Sequence, residues 1–267
     1  ADDHVRMGCA EVKRMLAPAG NPEAGKNRRI LVVGGGISGL TAAIETANTG
    51  YAAVIVEKSA RLGGWAAELH RRVPAREPFR DPVDTGVAAL VDEVAKNPLI
   101  TVHLNATLAK TSGAPGRFVA MVATADGEIA EEVGAIVQAT GFTPYDATRL
   151  TEFSYGKSPN IVDQAGLEAL ARKADGAGIR RPSDGGEAKT VVFVQCAGQR
   201  DDSGKHLSYC SGFCCATSIK QAMYFKDANP AVDTVVIYTD LRVPGNGEDF
   251  YRSAQSKGVT FTKGKVS

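Results

Sequence analysis

The stretch from Arg28 to Gly64, RRILVVGGGISGLTAAIETANTGYAAVIVEKSARLGG, decides the fold. Residues 30–33 and 53–56 are short apolar runs that predict buried parallel strands, and residues 40–47 between them predict a helix that Gly50 ends. Glycines in the pattern G-x-G-x-x-G separate the first strand from the helix, and an acid, Glu57, ends the second strand. This strand–helix–strand unit predicts a site for a dinucleotide.

Each element of that pattern has its own physical role. Gly34 permits a tight turn, Gly36 lets the backbone approach a pyrophosphate, and Gly39 lets the helix pack closely on the strand. Amide groups at the helix start, around Ile37 and Ser38, favour the anion. Glu57 is placed to accept hydrogen bonds from a ribose hydroxyl. The alternative is a glycine turn that serves packing alone.

Two later segments bear on which dinucleotide binds. The segment EKSARLGGW, 57–65, places a basic residue and a glycine pair after the acid, and AIVQATGFTP, 135–144, leads a strand into Ala-Thr-Gly. Both resemble segments of flavoproteins with two dinucleotide domains, and this resemblance favours FAD over NAD. The cofactor-binding candidates that follow are Gly34, Gly36, Ile37, Ser38, Gly39, Glu57, Lys58, Gly63, Gly64, Trp65, Ala139, Thr140 and Gly141.

Composition narrows the function classes. The chain has 267 residues, 43% of them hydrophobic, and a formal net charge of +1. A nearly neutral chain gives no electrostatic reason to expect nucleic acid or an anionic membrane as partner. The first residues show no secretory pattern, and we find no span of about 20 apolar residues, so we expect a cytoplasmic protein with no direct insertion into a membrane.

A second strand–helix–strand unit follows in the C-terminal half. TVVFVQC, 190–196, and TVVIYTDLR, 234–242, predict buried strands, and CCATSIKQAMYFKDA, 214–228, predicts the helix between them. The connecting loop has no G-x-G-x-x-G. In its place stands the pattern C-x13-C-x3-C-C, formed by Cys196, Cys210, Cys214 and Cys215. Thiols therefore occupy the position that would cradle a second pyrophosphate.

Four thiolates in one place favour a metal, because a cation offsets their charge. If the turn before Cys214 is helical, Cys210 and Cys214 lie on one face. Zinc usually prefers C-x2-C pairs, which are absent from this loop, so an iron–sulfur site is favoured, with zinc or a redox dithiol as alternatives. Cys9, on a separate helix, is expected to be a lone thiol rather than a ligand.

Several segments resemble the A subunit of heterodisulfide reductase, among them PYDATRLTEFSYGKSPNIVD, 144–163, YCSGFCC, 209–215, and YTDLRVPGNGEDFYRSA, 238–254. The resemblance implies an α/β, thioredoxin-reductase-like flavoprotein, with a Rossmann-type FAD domain and a second βαβ domain that carries one 4Fe-4S cluster. It implies Cys196, Cys210, Cys214 and Cys215 as the cluster ligands, companion subunits of the B and C types, and a homodimer as a further option.

The chain also departs from the larger members of that family. The loop ELHRRVPAREPFRDPVD, 68–84, has no cysteine, and no C-x2-C-x2-C-x3-C segment occurs. These departures favour the simpler members, in sulfur-oxidising or quinone-linked sulfate-reducing complexes, and weigh against electron bifurcation. The chain also lacks the later Gly-Asp segment that closes the FAD site of such proteins, so we expect it to be part of something longer.

The resulting prediction is an oxidoreductase subunit that passes electrons between FAD and the cluster. We divide the chain into an N-terminal helical arm and linker, 1–26, a first part of the FAD domain, 27–147, and a second Rossmann-like domain, 148–267. No side chain is identified as a general acid or base, and the four histidines are expected to pack. The alternatives are an NADPH-dependent FAD dithiol reductase and a zinc-stabilised assembly module.

Overall fold

The computed structural model describes residues 2–16 and 27–266. Its strands and helices alternate along the chain, except that two helices follow one another within residues 64–96 and five strands follow one another within residues 100–138. The helices are α1 Asp2–Arg14, α2 Ile37–Asn48, α3 Gly64–Glu68, α4 Val87–Lys96, α5 Gln164–Ala174, α6 Cys214–Ala228 and α7 Gly247–Ser256. The strands are β1 Ile30–Val33, β2 Ala53–Val56, β3 Ile100–His103, β4 Thr107–Ala114, β5 Arg117–Thr124, β6 Gly127–Val133, β7 Ala135–Gln138, β8 Thr190–Val194, β9 Asp233–Tyr238 and β10 Val259–Lys263.

The first sheet is parallel and has the strand order β3-β2-β1-β7. Val32 and Ile55 point from its central strands to one face, where they pack against Leu40 of α2. Leu31 and Val54 point to the other face and pack against β5 and β6 of the middle segment. Because both faces are covered, the central strands are apolar runs rather than alternating patterns.

Strands β4, β5 and β6 form an antiparallel sheet. The segment 100–111 does not form a single strand. The chain turns at Asn105, whose φ of 49° lies in the left-handed region, and continues as β4 in a different sheet. Asparagine tolerates this conformation better than most residues do.

The second half contains a parallel sheet with the order β10-β9-β8. Helix α6 packs on it, and its core contains Phe193, Ile219, Met223, Val236 and Phe250, all of them buried. Helix α6 starts at Cys214, as predicted, so the start of this helix lies at the carboxyl end of β8, where a parallel sheet usually carries its site.

A buried polar cluster joins the two halves, and we call it the Glu168 cluster. The Glu168 carboxylate accepts hydrogen bonds from the backbone N–H of His70, at 2.8 Å, and from Gln221 Nε2, also at 2.8 Å. It also pairs with Lys220 Nζ at 2.9 Å and accepts from the hydroxyl of Tyr224 at 3.2 Å. His70 follows α3 in the first half, whereas the other members lie on α5 and α6, so the cluster fixes α6 against the first half.

Helix α1 confirms the helix expected at the N-terminus, and none of its residues is buried. The predicted linker within 1–26 falls mostly outside the described residues. Within the part of the chain that the structure describes, no helix has both the length and the apolar character needed to cross a bilayer.

Candidate functional site

The glycine loop between β1 and α2 is shaped by contacts that only glycine allows. A Cβ on Gly34 would lie 2.3 Å from the carbonyl oxygen of Ala139, and a Cβ on Gly39 would lie 1.8 Å from that of Gly34. Gly36 differs, because a Cβ there would meet nothing closer than Gly64 Cα at 3.9 Å. The protein itself therefore leaves room at Gly36, which is where a dinucleotide needs close approach to the backbone.

The start of α2 is available to an anion. Gly36 is the N-cap residue and has no side chain to cap the helix. The first amide groups of a helix have no intrahelical acceptor, and the helix dipole adds a partial positive charge there. Ile37 is half-buried and Ser38 is exposed in this first turn. A pyrophosphate would supply the missing acceptors.

Glu57 ties the glycine loop to the end of β2. Its side chain is buried, and its two oxygens accept hydrogen bonds from the backbone N–H groups of Gly35, at 2.7 Å, and Ser59, at 2.8 Å. Burial alone would raise the pKa of Glu57, but these hydrogen bonds outweigh it and hold the pKa below its ordinary value. The carboxylate is therefore charged and held in position, with lone pairs left for a ribose hydroxyl.

The other two cofactor segments meet this loop. The Gly63 N–H donates to the Gly35 carbonyl at 2.8 Å, and a Cβ on Gly64 would lie 2.9 Å from Gly36 Cα. Ala139 donates its N–H to the carbonyl of Val33 at 2.8 Å. The three segments predicted from separate parts of the sequence therefore meet at one end of β1. The predicted residues Lys58, Thr140 and Gly141 are exposed there.

Three exposed aromatic rings, which we call the aromatic row, run from this cradle towards the cysteines. Trp65 stacks on Phe142, with ring centroids 6.0 Å apart, and donates its Nε1–H to the Phe142 carbonyl at 3.2 Å. Phe142 contacts Phe213 at 6.1 Å between centroids. Phe213 directly precedes Cys214. Of the three rings, the sequence analysis predicted only Trp65 as a site residue. Phe142 and Phe213 could have been found because they lie next to the predicted site residues Gly141 and Cys214.

Two of the predicted metal ligands start α6. Cys214 is half-buried and Cys215 is buried. A hydrogen bond from the Cys215 thiol is the main reason that the pKa of Cys214 falls to about 6, with help from Ser211 and from the backbone N–H groups of Cys214 and Cys196. Sharing that hydrogen bond, together with burial, raises the pKa of Cys215. Cys214 is therefore the thiolate of the pair.

Cys196 lies two residues after β8, on the opposite side of the crossover. Its φ is 60°, in the left-handed region, which is uncommon for a residue with a side chain. Arg200, in the same loop, donates from Nη2 to Asp240 at 2.6 Å. The pKa of Arg200 is raised mainly by Asp240, and a hydrogen bond with the Cys196 side chain adds to the effect. Arg200 thus places a positive charge beside this thiol.

Cys210 lies in the loop before α6, where its Sγ accepts the Gly212 N–H at 3.3 Å. Because α6 begins only at Cys214, the turn before it is not helical, and the condition for a helical face shared by Cys210 and Cys214 is not met. Within residues 2–16 and 27–266, no three side chains of His, Cys, Asp or Glu are arranged so that they could hold a metal ion. The four-cysteine ligand set therefore stays a prediction. The thiol chemistry of these residues suits an iron–sulfur cluster, whereas the positions of their sulfur atoms in this structure do not yet form a metal site.

The cysteine loop is held in shape by polar contacts. Asp201 accepts backbone N–H groups from Lys205 and His206, both at 3.0 Å, and these and the Ser203 hydroxyl lower the pKa of Asp201 to about 2. His206 Nδ1 lies 2.5 Å from the hydroxyl of Tyr145, and its Nε2 lies 3.0 Å from Glu152. These contacts dock the loop on the segment that follows Gly141, which agrees with the expectation that His206 packs.

The chain was compared with known proteins. A model of the NAD(P)-binding Rossmann-like domain matches residues 32–99. The chain is also similar to the A subunit of a Ferredoxin/F(420)H(2)-dependent CoB-CoM heterodisulfide reductase from Methanosarcina acetivorans, with 26% identity over all of this chain and 43% of that protein. The iron-sulfur A subunit of a CoB–CoM heterodisulfide reductase from Methanocaldococcus jannaschii is 28% identical over 90% of the chain and 48% of that protein.

The chain therefore spans about half the length of the curated relatives it matches. Among solved structures, a thioredoxin reductase from T. acidophilum superimposes with a TM-score of 0.52, at 15% identity, over 88% of this chain and 64% of that one. This similarity confirms the predicted α/β, thioredoxin-reductase-like fold.

Proposed function

We propose that this chain, which is similar to the A subunits of heterodisulfide reductases, is the cofactor-bearing core of a flavin and iron–sulfur electron-transfer subunit. FAD would lie in the glycine cradle, and a 4Fe-4S cluster would be held by Cys196, Cys210, Cys214 and Cys215. When bound, FAD exchanges electron pairs and the cluster exchanges single electrons.

The residues of the chain would bind and orient these groups. The amides at the start of α2 hold the pyrophosphate, Gly36 lets it approach, and the buried carboxylate of Glu57 accepts from the adenosine ribose. In the second half, the amides at the start of α6 and the charge of Arg200 favour anionic sulfur beside Cys196 and Cys214.

One observation carries the proposal. In both halves a helix starts at the carboxyl end of a parallel strand, but only the first has a glycine loop at that place. The second has Cys196 two residues after the strand and Cys214 and Cys215 at the helix start. The start of a helix after a parallel strand suits a phosphate anion in the first half. In the second half the same place carries soft sulfur donors, which suit iron.

Partners and substrates are part of the proposal. We infer that companion subunits of the B and C types supply the terminal donor or acceptor in sulfur metabolism, since that chemistry belongs to companion subunits in the family that this chain resembles. The cytoplasm is the compartment we expect, because it keeps thiols reduced.

A second function is favoured by one observation, the adjacent thiols of half-buried Cys214 and buried Cys215 at the start of α6. A thiol whose pKa is about 6 beside a protonated neighbour is suited to dithiol exchange. The chain would then be an FAD-dependent dithiol reductase. The absence of a glycine fingerprint between β8 and α6 weighs against NADPH as its reductant.

The test is a visible spectrum and an iron assay on anaerobically purified protein, with three variants. We expect flavin bands plus a broad absorption that dithionite bleaches. Cys215→Ser should lose iron and keep flavin, and Gly36→Val should lose flavin and keep iron. Thr41→Val, on the exposed face of α2, is the matched control and should keep both. Flavin without iron in the parent protein would favour the dithiol reductase, and neither cofactor would leave an assembly module.

A further inference from the structure

Two side chains near Cys196, the buried Gln195 and the partly exposed Arg200, have buried polar atoms without partners. Gln195 is 8% exposed, and neither its Oε1 nor its Nε2 has a hydrogen-bond partner among the described residues. The same holds for Nη1 of Arg200, although its Nη2 pairs with Asp240. A buried amide without partners costs about 1–3 kcal/mol relative to a paired one.

The position of Gln195 indicates what it faces. Its backbone N–H donates to the Ile237 carbonyl at 2.9 Å, so it continues the β8 pairing by one residue. Side chains alternate along a strand, which places Gln195 on the same face as Phe193. Phe193 packs in the core with Ile219 of α6. Gln195 therefore points to the α6 side, one residue before Cys196 and at the end of the sheet where α6 begins.

Gln221 on α6 is a buried glutamine whose amide nitrogen does have partners, and it serves as a comparison for Gln195. Its Nε2 donates to the Gln164 carbonyl and to Glu168, both at 2.8 Å, and only its Oε1 lacks a partner. A wholly unpaired amide next to Cys196 is thus a different case. A Leu or Met would fill that space at lower cost unless the amide binds something there.

We propose that Gln195 Nε2 and Arg200 Nη1 donate hydrogen bonds to sulfur atoms of the group held by the four cysteines, and thereby raise its reduction potential. The inference rests on the proposed function. A cluster gains negative charge when it accepts an electron, so a donor aimed at its sulfurs stabilises the reduced form more than the oxidised form. One buried amide and one guanidinium therefore act in the same direction.

The decisive experiment is a redox titration of the iron-loaded protein followed by electron paramagnetic resonance. Gln195→Met removes the donor and keeps the volume. We expect the equilibrium constant for one-electron reduction to fall about tenfold, or about 59 mV. Arg200→Lys keeps the charge but loses the second nitrogen, and it should shift in the same direction. Gln199→Met, in the same loop, is the control, because the Gln199 Oε1 already accepts the Ser211 N–H at 3.1 Å.

A second measurement uses protein without cofactors. There Gln195→Met should raise the urea midpoint, because it removes an unpaired buried amide. A lower midpoint would mean that the amide is paired within the protein, and it would overturn the inference even if iron never binds. An unshifted potential in iron-loaded Gln195→Met would overturn it as well. A parent protein that contains no iron after reconstitution would instead reject the proposed function.

Discussion

Replacing Lys220 with Met should strongly destabilise the chain, because Lys220 is the charged partner of Glu168 in the Glu168 cluster. Both side chains are 2% exposed, and their ion-pair distance is 2.9 Å. Lys220 Nζ also donates to the Arg71 carbonyl at 2.7 Å. Burial lowers the pKa of Lys220, while Glu168 opposes that effect. Met has a similar length and no charge, so the change removes the pairing with little loss of volume.

The magnitude follows from what remains around Glu168. Removing one partner of a buried ion pair costs about 3–5 kcal/mol, because the other charge stays buried. Glu168 keeps three donors, the His70 N–H, Gln221 Nε2 and the Tyr224 hydroxyl. We therefore expect a cost near the lower limit, about 3 kcal/mol. With a urea dependence of about 2–3 kcal/mol/M, the midpoint should fall by roughly 1 M.

Urea unfolding followed by circular dichroism measures this cost, and two variants interpret it. Lys96→Met removes an exposed i,i+4 pair with Asp92 and should cost less than about 0.5 kcal/mol. Glu168→Gln combined with Lys220→Met removes both charges and should be more stable than Lys220→Met alone. If Lys220→Met unfolds at the same urea concentration as Lys96→Met, the cluster does not hold the two halves together.

Two further predictions concern the flavin cradle. Hydrogen bonds hold the pKa of Glu57 below its ordinary value of 4.5. Its stabilising contribution is therefore complete above that pH and is lost as the pH falls through the lower native pKa. Glu57→Gln should flatten the fall of the urea midpoint between about pH 6 and pH 3, whereas the control, Glu93→Gln at an exposed position, should not. Trp65 is the single tryptophan, so its fluorescence reports on the aromatic row. Phe142→Leu should shift the emission to the red and increase quenching by iodide, while the control Tyr51→Leu, at a distant exposed ring, should leave both unchanged. Equal spectra for Phe142→Leu and the parent protein would show that the aromatic row is not formed.

The sequence predicted the parts of the fold that follow from local patterns. The bounds of β1, β2 and α6 agree with the apolar runs and the cysteine pair, since buried parallel strands and a helix start leave strong signals. The glycine cradle was predictable for the same reason, because each glycine answers a close contact of the backbone. The antiparallel meander of β4 to β6 was not predicted, because the left-handed turn at Asn105 leaves no periodicity signal.

The contacts between the halves could not be predicted from the sequence. The Glu168 cluster joins residues about 50 to 150 positions apart, and nothing in the local pattern around Lys220 distinguishes a buried lysine from an exposed one. Gln195 and Phe213 could not be identified from the sequence either. Their surroundings depend on how the segment after β8 meets the start of α6. Sequence reasoning found the residues that a motif names and missed those that only the fold brings together.

The two crossovers explain why the second half is not expected to hold a nicotinamide nucleotide. From β1 to α2 the chain needs only residues 34–36, whereas from β8 to α6 it uses residues 195–213. The short loop leaves the amides at the start of α2 uncovered. In the long loop, Phe213 and the cysteines lie at the start of α6. Arg200 pairs with Asp240, and Asp201 accepts the His206 N–H, so these contacts hold the loop in place there. A pyrophosphate needs uncovered amides, whereas the long loop offers sulfur. We therefore expect NADH and NADPH to show no saturable binding to this half, and a saturable titration would contradict the assignment of the cysteines to a metal.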